Sequence, residues 1–515
     1  MRFPSTLGIA ATLLLATAPA SADDGIGKIE RGVPAANKAV GTPPNLIAPD
    51  FRTILLATGT DPLENPSGKI VKFGFLSDGT LTEPDEHTYL VFDKNPGGPD
   101  STFNYGRKFL FQGHENGGNL AYVTRINLQV PRGDKHRITL LTPVDSTTGL
   151  TGFGSVDGST YDPFTNTLLF TQEQSSSTRT GAGKVIQITP NWPPKITTLE
   201  AFLGLGGYEG IHPDDKGNIY IIEDIGGARN ATTHARQPNS FVYRFLPNDP
   251  SRLEKGGKLQ VLQVRIAGQP VVFNASDPDG DIMSTAQLKL HTPGTSYPAK
   301  WVTIHTSKAG DTASFDANAT AKVAGATPFK RPENMAWLPG SNFTTFFFDP
   351  TGDTDNLSSG VPELAARGAW GSIFRVDLLQ KDDGQISIFV LGDQEHSSFD
   401  NLAFADEKTL LAAEDRGDTL HDQLNTLDSV WAFSLPGPLP KAIRFIALGR
   451  DATSLAHGED NEPTGLFVSN GSVSKDALLG TEENLDDPRG FVTRQHGDNS
   501  VFRFFHVDES HEAKH

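Results

Sequence analysis

Short apolar runs alternate with clusters of Gly, Asp, Asn and Pro along almost the whole chain, and sustained helical periodicity is nearly absent. Runs of this length, bounded by turn residues, are typical of β-strands. The pattern begins after residues 23–50, which are rich in Pro, Ala, Gly and Asn. The sequence therefore predicts an all-β protein, with an irregular leader at residues 23–50 and a β-domain over residues 51–515.

Four segments repeat one order of features. In each, an acidic residue opens a short strand, a tight turn follows, and a more apolar second strand ends in acidic residues. The four segments are residues 156–174, 208–227, 332–353 and 399–418. Each leads to a third strand, at residues 183–188, 240–245, 371–377 and 428–433. Two less regular units complete the set, one before the repeats at residues 107–128 and one after them, made of residues 462–472 together with residues 489–505.

Repeats of this size, each a small antiparallel sheet that cannot bury both faces alone, are typical of a β-propeller. Six units predict a six-bladed β-propeller, in which residues 51–58 supply an outer strand to the last blade and protect its edge. A pair of β-sandwich domains would explain the strands but not their recurring order. Residues 249–328 break the repeat and predict an insertion between blades three and four, either a lid or a peripheral hairpin.

The first 22 residues have the layout of a secretory signal peptide. Arg2 supplies a positive charge, residues 7–16 form an apolar core, and Ala20-Ser21-Ala22 is a small-residue cleavage signature. The apolar run is shorter than the roughly 20 residues that a membrane span needs. We therefore expect export to a secreted or periplasmic location rather than membrane insertion.

Charge and motifs narrow the classes of partner. The formal net charge of −18 argues against nucleic acid and anionic membranes as partners. The chain has no cysteine, which excludes disulfides, thiolate nucleophiles and cysteine metal sites. Serine-hydrolase elbows, P-loops, dinucleotide fingerprints and zincin helices are also missing from the sequence. We expect a monomer that acts on a small molecule.

The inner strands of a propeller converge on a central channel, so the repeat would bring distant residues together. The strand-opening acids would form one ring: Asp157, Glu209, Glu333 and Asp400. Residues after the second strands would lie close by: Glu173, Glu223, Asp224, Asp349, Glu414 and Asp415. The first and last units would add His114, Glu115, Asn116, Gln495 and His496.

So many carboxylates cannot all stay ionised and unpaired in a channel, because they repel one another and their pKa values rise. Bound cations remove this conflict, and calcium accepts about six to eight oxygen ligands with flexible geometry. We expect more than one calcium ion, although any single acid could instead be a loop cap or turn former. Arg331, beside the cluster, is the usual type of partner for a bound phosphate or carboxylate, or forms a surface salt bridge.

Two other acidic segments have features of calcium-binding loops. Asp277, Asp279 and Asp281 alternate in "SDPDGD", without the bidentate glutamate of an EF-hand. Residues 349–356, "DPTGDTDN", have a similar pattern and begin at the predicted channel.

Several short motifs, in this order, resemble the PhoX-type alkaline phosphatase family over about residues 50–505. They are His114-Glu115-Asn116, Glu209-Gly210, Arg331-Pro332-Glu333, Asp400-Asn401-Leu402-Ala403-Phe404, Thr464-Gly465 and Gln495-His496. The resemblance implies a secreted six-bladed propeller that holds calcium, and in characterised members iron, and hydrolyses phosphomonoesters. It implies metal ligands at Glu115, Glu209 and Glu333, and a contact between Arg331 and the substrate phosphate.

We complete the predicted site with residues from the same ring. The further metal ligands are Glu173, Asp224, Asp400 and Glu414, and the catalytic group is Arg331, Glu333 and Asn116. Characterised members of the family use a cysteine thiolate on iron, which this chain lacks, so calcium is expected and Fe³⁺ is the alternative.

The leading functional hypothesis is a calcium-dependent phosphoesterase, a phosphoric monoester hydrolase. Two alternatives stay open: a calcium-dependent lactonase or esterase, and a non-catalytic extracellular propeller that calcium stabilises and that binds ligands or partners.

Overall fold

The computed structural model describes residues 25–37, 45–76, 78–173, 183–435, 441–457, 461–475 and 489–507. The predicted signal peptide, residues 1–22, and parts of the predicted leader lie outside these ranges. Within them, no helix is both long enough and apolar enough to cross a membrane.

Strands dominate the described residues, and the first fourteen lie between residues 46 and 247. They are β1 (Leu46–Ile47), β2 (Phe51–Ala57), β3 (Leu63–Glu64), β4 (Glu83–Val91), β5 (Lys108–Glu115), β6 (Tyr122–Asn127), β7 (Ile138–Leu140), β8 (Val156–Asp162), β9 (Thr167–Gln172), β10 (Ile186–Ile188), β11 (Ile196–Thr198), β12 (Tyr208–Pro213), β13 (Ile219–Glu223) and β14 (Val242–Pro247).

The remaining strands and the short helices complete the fold. The strands are β15 (Gly257–Ile266), β16 (Gln269–Pro270), β17 (Ser296–Thr306), β18 (Pro332–Trp337), β19 (Thr345–Pro350), β20 (Ser372–Leu378), β21 (Asp383–Leu391), β22 (Phe399–Asp406), β23 (Thr409–Glu414), β24 (Ser429–Ser434), β25 (Ala442–Ala447), β26 (Pro463–Ser469), β27 (Arg489–Arg494) and β28 (Val501–His506). The helices are α1 (Glu200–Leu203), α2 (Pro278–Ile282), α3 (Thr285–Leu290), α4 (Ala317–Val323), α5 (Asn356–Ser359), α6 (Pro362–Ala365), α7 (Gly417–Leu424) and α8 (Ala452–His457).

Pairing arranges the described strands in five sheets. Their orders are β3-β7-β6-β5-β4, β11-β10-β9-β8, β1-β25-β24-β23-β22, β2-β28-β27-β26 and the large sheet β12-β13-β14-β15-β17-β21-β20-β19-β18, to which β16 adds an edge. We call β4, β8, β12, β18, β22 and β26 the inner strands. Each inner strand contacts the next, and β26 contacts β4, so the inner strands form a closed cycle. The fold is therefore all-β, with a propeller-like arrangement of sheets.

Apolar side chains fill the space between neighbouring sheets. Phe347 of β19 packs in one cluster with Phe399 of β22 and Trp431 of β24, which belong to the next sheet. The inner strands and the strands paired with them are buried along their length, as in β8, β9, β18 and β19, because they are covered on both faces. This two-sided burial explains why the sequence shows apolar runs in place of strict alternation.

The N-terminal strand pairs with the C-terminal one. β2 lies antiparallel to β28, with Phe51 opposite His506 and Ala57 opposite Val501. This confirms that the segment near residues 51–58 supplies an outer strand to the last sheet. The described leader also packs on the fold, since Ile26 N–H donates to the carbonyl of Ala405 at 3.2 Å and Val33 N–H to that of Arg444 at 2.9 Å.

Residues 249–328 contain β15, β16, β17 and helices α2 to α4. The long strand β17 pairs with β15 on one side and with β21 on the other. It therefore joins the halves of the large sheet at strands remote from β12 and β18, away from the inner strands.

Candidate metal and anion site

A β-bulge recurs at the same place in every inner strand. The register with the neighbouring strand shifts at residues 85–86, 157–158, 209–210, 333–334, 400–401 and 465–466. A bulge sets two residues against one on the partner strand, so it redirects the local side chains. Five of these six bulges carry at least one carboxylate: Asp85 and Glu86, Asp157, Glu209, Glu333, and Asp400. The acidic strand openings of the sequence are therefore the bulges of the inner strands.

Glycines next to two of these carboxylates allow neighbouring inner strands to lie close together. A Cβ on Gly158 would lie 2.2 Å from the carbonyl oxygen of Glu209, and a Cβ on Gly210 would lie 2.9 Å from the Cα of Asn334. Any larger residue would push the strands apart. The Glu209-Gly210 pair thus supplies a carboxylate and, at the next residue, the space that the next strand needs.

The close packing of the inner strands brings carboxylates together in three overlapping groups. They are Asp85–Glu115–Asp157, Asp157–Glu173–Glu209 and Glu209–Asp224–Glu333, and in each group one oxygen from every residue lies within 4.8 Å of the others. Asp157 and Glu209 each belong to two groups, so the three form a continuous band. The donor atoms are all carboxylate oxygens, the type that hard cations prefer.

Burial and mutual repulsion raise the pKa values in this band. Burial, with the charges of Asp224 and Asp157, raises the pKa of Glu173 to about 8. Burial raises the pKa of Asp157 to about 6. Burial also raises the pKa of Glu209, to which the charge of Asp157 adds, and the pKa of Glu333, to which that of Asp224 adds. Burial and repulsion therefore favour protonation of part of the band, and a bound cation would allow more of its carboxylates to stay ionised.

Individual oxygens in the band also lack partners. Oδ1 of Asp85 and Oδ1 of Asp224 are buried and accept no hydrogen bond. A buried carboxylate oxygen without a partner costs free energy, and coordination to a cation would remove that cost. The residues present therefore fit hard cations such as calcium, and three groups offer room for more than one.

Arg331 borders the band at its Asp224 end. Its Nε donates to Oδ2 of Asp224 at 2.9 Å, and its Nη2 lies 3.3 Å from Oε1 of Glu333. The Arg331 backbone has a φ of 51°, in the left-handed region that non-glycine residues seldom adopt. Its side chain is 20% exposed. Burial disfavours the charged guanidinium, but the charges of Asp224, Glu333 and Asp415 outweigh it and raise the Arg331 pKa.

Polar neighbours fix the orientation of the ligand-type side chains. Thr351 Oγ1 donates to Oε1 of Glu333 at 2.6 Å. Gln495 Nε2 donates to Oδ2 of Asp85 at 2.8 Å and to Oε2 of Glu115 at 2.9 Å, which links the last sheet to the first. The predicted residue Gln495 therefore lies at the band and holds two of its carboxylates.

Other predicted residues lie outside the three groups. Glu414 forms an ion pair with Arg416 at 2.6 Å, and both side chains are fully buried. Asp400 occupies its bulge and accepts a hydrogen bond from Asn401 at 3.1 Å. Asn116 follows Glu115 and donates to its carbonyl oxygen. The roles of Glu414, Asp400 and Asn116 stay predictions.

The neighbouring candidates have mainly polar partners within the fold. Glu223 accepts from Tyr243 at 2.9 Å and Asn318 at 3.0 Å. His114 lies between Thr82 at 3.1 Å and Thr124 at 3.0 Å. The carboxylate of Asp349 accepts a hydrogen bond from the N–H of Asn334. The charge of Asp415 contributes to the raised pKa of Asp400. His496 lies 3.8 Å from Glu462.

In the acidic loop at residues 276–281, the carboxylates accept hydrogen bonds from groups of the protein. Asp277 caps α2 by accepting from the N–H of Gly280, and Asp279 accepts from Asn230. Asp281 accepts from Gln237 Nε2 and from the N–H of Asn274, both at 2.7 Å. A cation at this loop would have to displace these contacts.

Sequence reasoning missed Asp85 and Glu86. Both lie on β4, which precedes the first repeat unit predicted at residues 107–128. The signal is present in "EPDEHTYLVF", residues 83–92, where acidic residues open an apolar run as in the other units. Glu86 also links two inner strands, because its carboxylate on β4 accepts a hydrogen bond from Asn334 Nδ2 on β18.

Comparison with known proteins agrees with the predicted resemblance. Residues 211–430 match the family model described as alkaline phosphatase PhoX. Among solved structures, Pseudomonas fluorescens PhoX in complex with vanadate, a transition state analogue, has a TM-score of 0.57 at 14% identity, over 92% of this chain and 97% of that one.

A second solved structure is more distant. A catalytically inactive virginiamycin B lyase from Staphylococcus aureus with quinupristin has a TM-score of 0.34 at 10% identity, over 89% of this chain and 100% of that one. No curated protein matches the chain. The predicted resemblance to the PhoX alkaline phosphatase family is confirmed by the match over residues 211–430, a range that includes Arg331 and Glu333.

Proposed function

We propose that the protein is a secreted, calcium-dependent phosphoesterase that hydrolyses phosphomonoesters at the carboxylate band. One observation carries the proposal: Arg331 contacts Asp224 and Glu333. The guanidinium can bind an anion, and the two carboxylates belong to a group that could hold a metal ion. A phosphoryl group needs both partners, because its oxygens bind metal ions and guanidinium groups alike.

The proposed scaffold is a six-bladed propeller with the site in its channel. The closed cycle of six inner strands and the recurrence of one bulge in all six support this count. In this arrangement the ten-stranded sheet contributes two blades, and residues 249–328 connect their outer strands.

The residues of the band have distinct proposed roles. Glu115, Glu173, Glu209, Asp224 and Glu333 hold the cations, together with Asp85 and Asp157. When bound, the cations supply Lewis-acid polarisation of the phosphoryl group. Arg331 donates to the phosphoryl oxygens and stabilises the negative charge that develops on them. Thr351 keeps Glu333 oriented through its 2.6 Å hydrogen bond.

The comparison supports the type of anion. The Pseudomonas fluorescens PhoX structure holds vanadate, described as a transition state analogue. We propose that the band and Arg331 of this chain receive the same type of oxyanion. Calcium is favoured over iron here, because the donor atoms of the three groups are all carboxylate oxygens and the chain has no cysteine.

Hydrolysis of p-nitrophenyl phosphate by purified protein tests the proposal. We expect turnover in calcium, loss of turnover in EDTA, and recovery when calcium is restored. Glu333→Gln should abolish turnover while circular dichroism and gel filtration stay unchanged. Full activity of Glu333→Gln would rule out this site, and hydrolysis of lactones without hydrolysis of phosphoesters would favour the lactonase alternative.

A further inference from the structure

Basic side chains at residue 330 and in residues 229–234 pair with carboxylates of the loop after β19. Lys330 Nζ donates to both carboxylate oxygens of Asp353, at 3.0 and 3.2 Å, and both side chains are buried. Arg229 Nη2 lies 3.0 Å from Oδ2 of Asp355, and His234 Nδ1 lies 2.9 Å from the same oxygen. The residues of "DPTGDTDN" thus serve as counter-charges for a cluster of basic groups.

Arg236 is the exception in this cluster. Among the described residues, its guanidinium makes no hydrogen bond and has no carboxylate within ion-pair distance, and its Nε is buried without a partner. Arg236 is half-buried, and its Nε is the buried donor without an acceptor, which is costly because a buried N–H normally has a partner. Within the described part of the chain, the donors of this guanidinium are therefore available to a ligand.

Backbone contacts of Arg236 hold its side chain against Gly226, on the segment that follows Asp224. The Arg236 N–H donates to Oδ1 of Asp353 at 2.9 Å, and an antiparallel bridge joins Arg236 to Arg229 across a hairpin. The Arg236 guanidinium lies against Gly226, where a Cβ would be 2.7 Å from Nη1. Gly226 is two residues from Asp224, the carboxylate that binds Arg331. Burial lowers the pKa of Arg236, the positive charges of Arg331 and Arg229 lower it further, and the negative charges of Asp224 and Asp353 act in the opposite direction.

We propose that Arg236 is a second phosphate-binding residue, which receives the dianionic phosphoryl group of the substrate together with Arg331. This inference rests on the proposed function and adds to it a second residue that binds the phosphoryl group. An anion between two guanidiniums removes their mutual repulsion and uses the free donors of Arg236. A phosphomonoester brings two negative charges and three terminal oxygens, whereas a diester brings one charge and two such oxygens. Arg236 therefore favours monoesters over diesters.

Binding of inorganic phosphate to the calcium-loaded protein tests this inference without relying on turnover. Titration calorimetry should show that Arg236→Gln raises the phosphate Kd about tenfold or more, since hydrogen bonds between ionised groups are the strong ones. Arg229→Gln is the matched control, because it removes a guanidinium of the same hairpin that already has Asp355 as partner. We expect its Kd to stay within about threefold of wild type.

Substrate preference gives a second measurement. Arg236→Gln should raise KM for p-nitrophenyl phosphate while leaving hydrolysis of bis(p-nitrophenyl) phosphate nearly unchanged, so the monoester preference falls. Arg236→Lys keeps the charge and should retain part of the phosphate affinity, which keeps the test valid if the glutamine variant does not fold.

Three outcomes would overturn the inference in distinguishable ways. An unchanged phosphate Kd in Arg236→Gln removes Arg236 from the site and leaves the proposed function intact. Equal weakening in Arg229→Gln and Arg236→Gln assigns the effect to overall charge and contradicts a specific role. Failure of calcium-loaded wild-type protein to bind phosphate contradicts the proposed function itself.

Discussion

Arg331 Nε donates a hydrogen bond to Oδ2 of Asp224 at 2.9 Å, so the guanidinium and the carboxylate band share a direct contact. The carboxylates of the band are the type of ligand that binds metal ions, and the guanidinium is the type of group that binds anions. Their contact means that the orientation of Arg331 depends on the same carboxylates that would hold metal. Binding of phosphate and of calcium should therefore be coupled in this protein.

The first prediction concerns the Arg331 side chain. Arg331→Gln should lower kcat/KM for p-nitrophenyl phosphate by about 10²- to 10³-fold, as expected for loss of one donor to the developing charge. Arg331→Lys should recover only part of this loss, since lysine lacks the planar fork that contacts two groups at once. Steady-state kinetics in saturating calcium measures both.

A matched control for this prediction is Arg375→Gln. Arg375 is paired with Asp377 at 2.8 Å, and both side chains are about one-third exposed, at 37%. Its replacement should leave kcat/KM within about twofold, because exposed pairs contribute little. Equal activity losses in the two glutamine variants would contradict a specific role for Arg331.

The second prediction concerns stability after removal of metal. Burial raises the pKa values of Glu86 and Glu173 to about 8, from an ordinary value of 4.5. Between these values the folded, metal-free protein binds more protons than the unfolded chain, so its free energy of unfolding falls as pH rises. The contribution of the protonated carboxyls to the free energy of unfolding is fully present below pH 4.5 and is lost as the pH rises through about 8.

The measurement should avoid the range in which buried histidines titrate. Burial lowers the pKa of His87, His212 and His291 to about 4, so their contribution is lost as pH falls below 6.5. From about pH 6.5 to 8 only the carboxylate effect should operate. We expect the Tm in EDTA to fall across this range, and calcium to raise the Tm most at pH 8. A Tm that does not respond to calcium would show that the band binds none.

The third prediction separates two glutamates that the sequence placed in one class. Glu209→Gln should weaken calcium binding, because Glu209 belongs to two of the three carboxylate groups. Glu414→Gln should leave calcium binding unchanged but lower the Tm, because it weakens a fully buried ion pair with Arg416. Calcium titration and thermal melts of both variants check this. Loss of calcium binding in Glu414→Gln would instead support the role of metal ligand that the sequence predicts for Glu414.

The residues that the sequence placed near the band share one property. Asp157, Glu209 and Glu333 occupy equivalent slots in a repeat, and the repeat predicts their convergence because inner strands meet at one channel. The outer strand β2 was predicted for a similar reason, since a ring leaves an edge that must be covered.

The parts that the sequence did not predict depend on which partner each charged side chain takes in the folded chain. Glu414 and Glu173 hold the same slot of the repeat, but Glu414 pairs with Arg416, two residues further on, whereas Glu173 belongs to the band. The side chains of Asp353 and Asp355 pair with Lys330, Arg229 and His234 and not with Arg236, a choice of partners that the sequence alone does not indicate. Asp85 and Glu86 were predictable, but only by extending the repeat one strand towards the N-terminus.

The metal content of protein purified without chelator tests the central claim most directly. Elemental analysis by inductively coupled plasma mass spectrometry should find more than one calcium per chain and iron well below one per chain. Glu209→Gln protein, prepared in the same way, should contain less calcium. One or more iron atoms per chain, or the absence of bound calcium, would contradict the account of the carboxylate band as a calcium site.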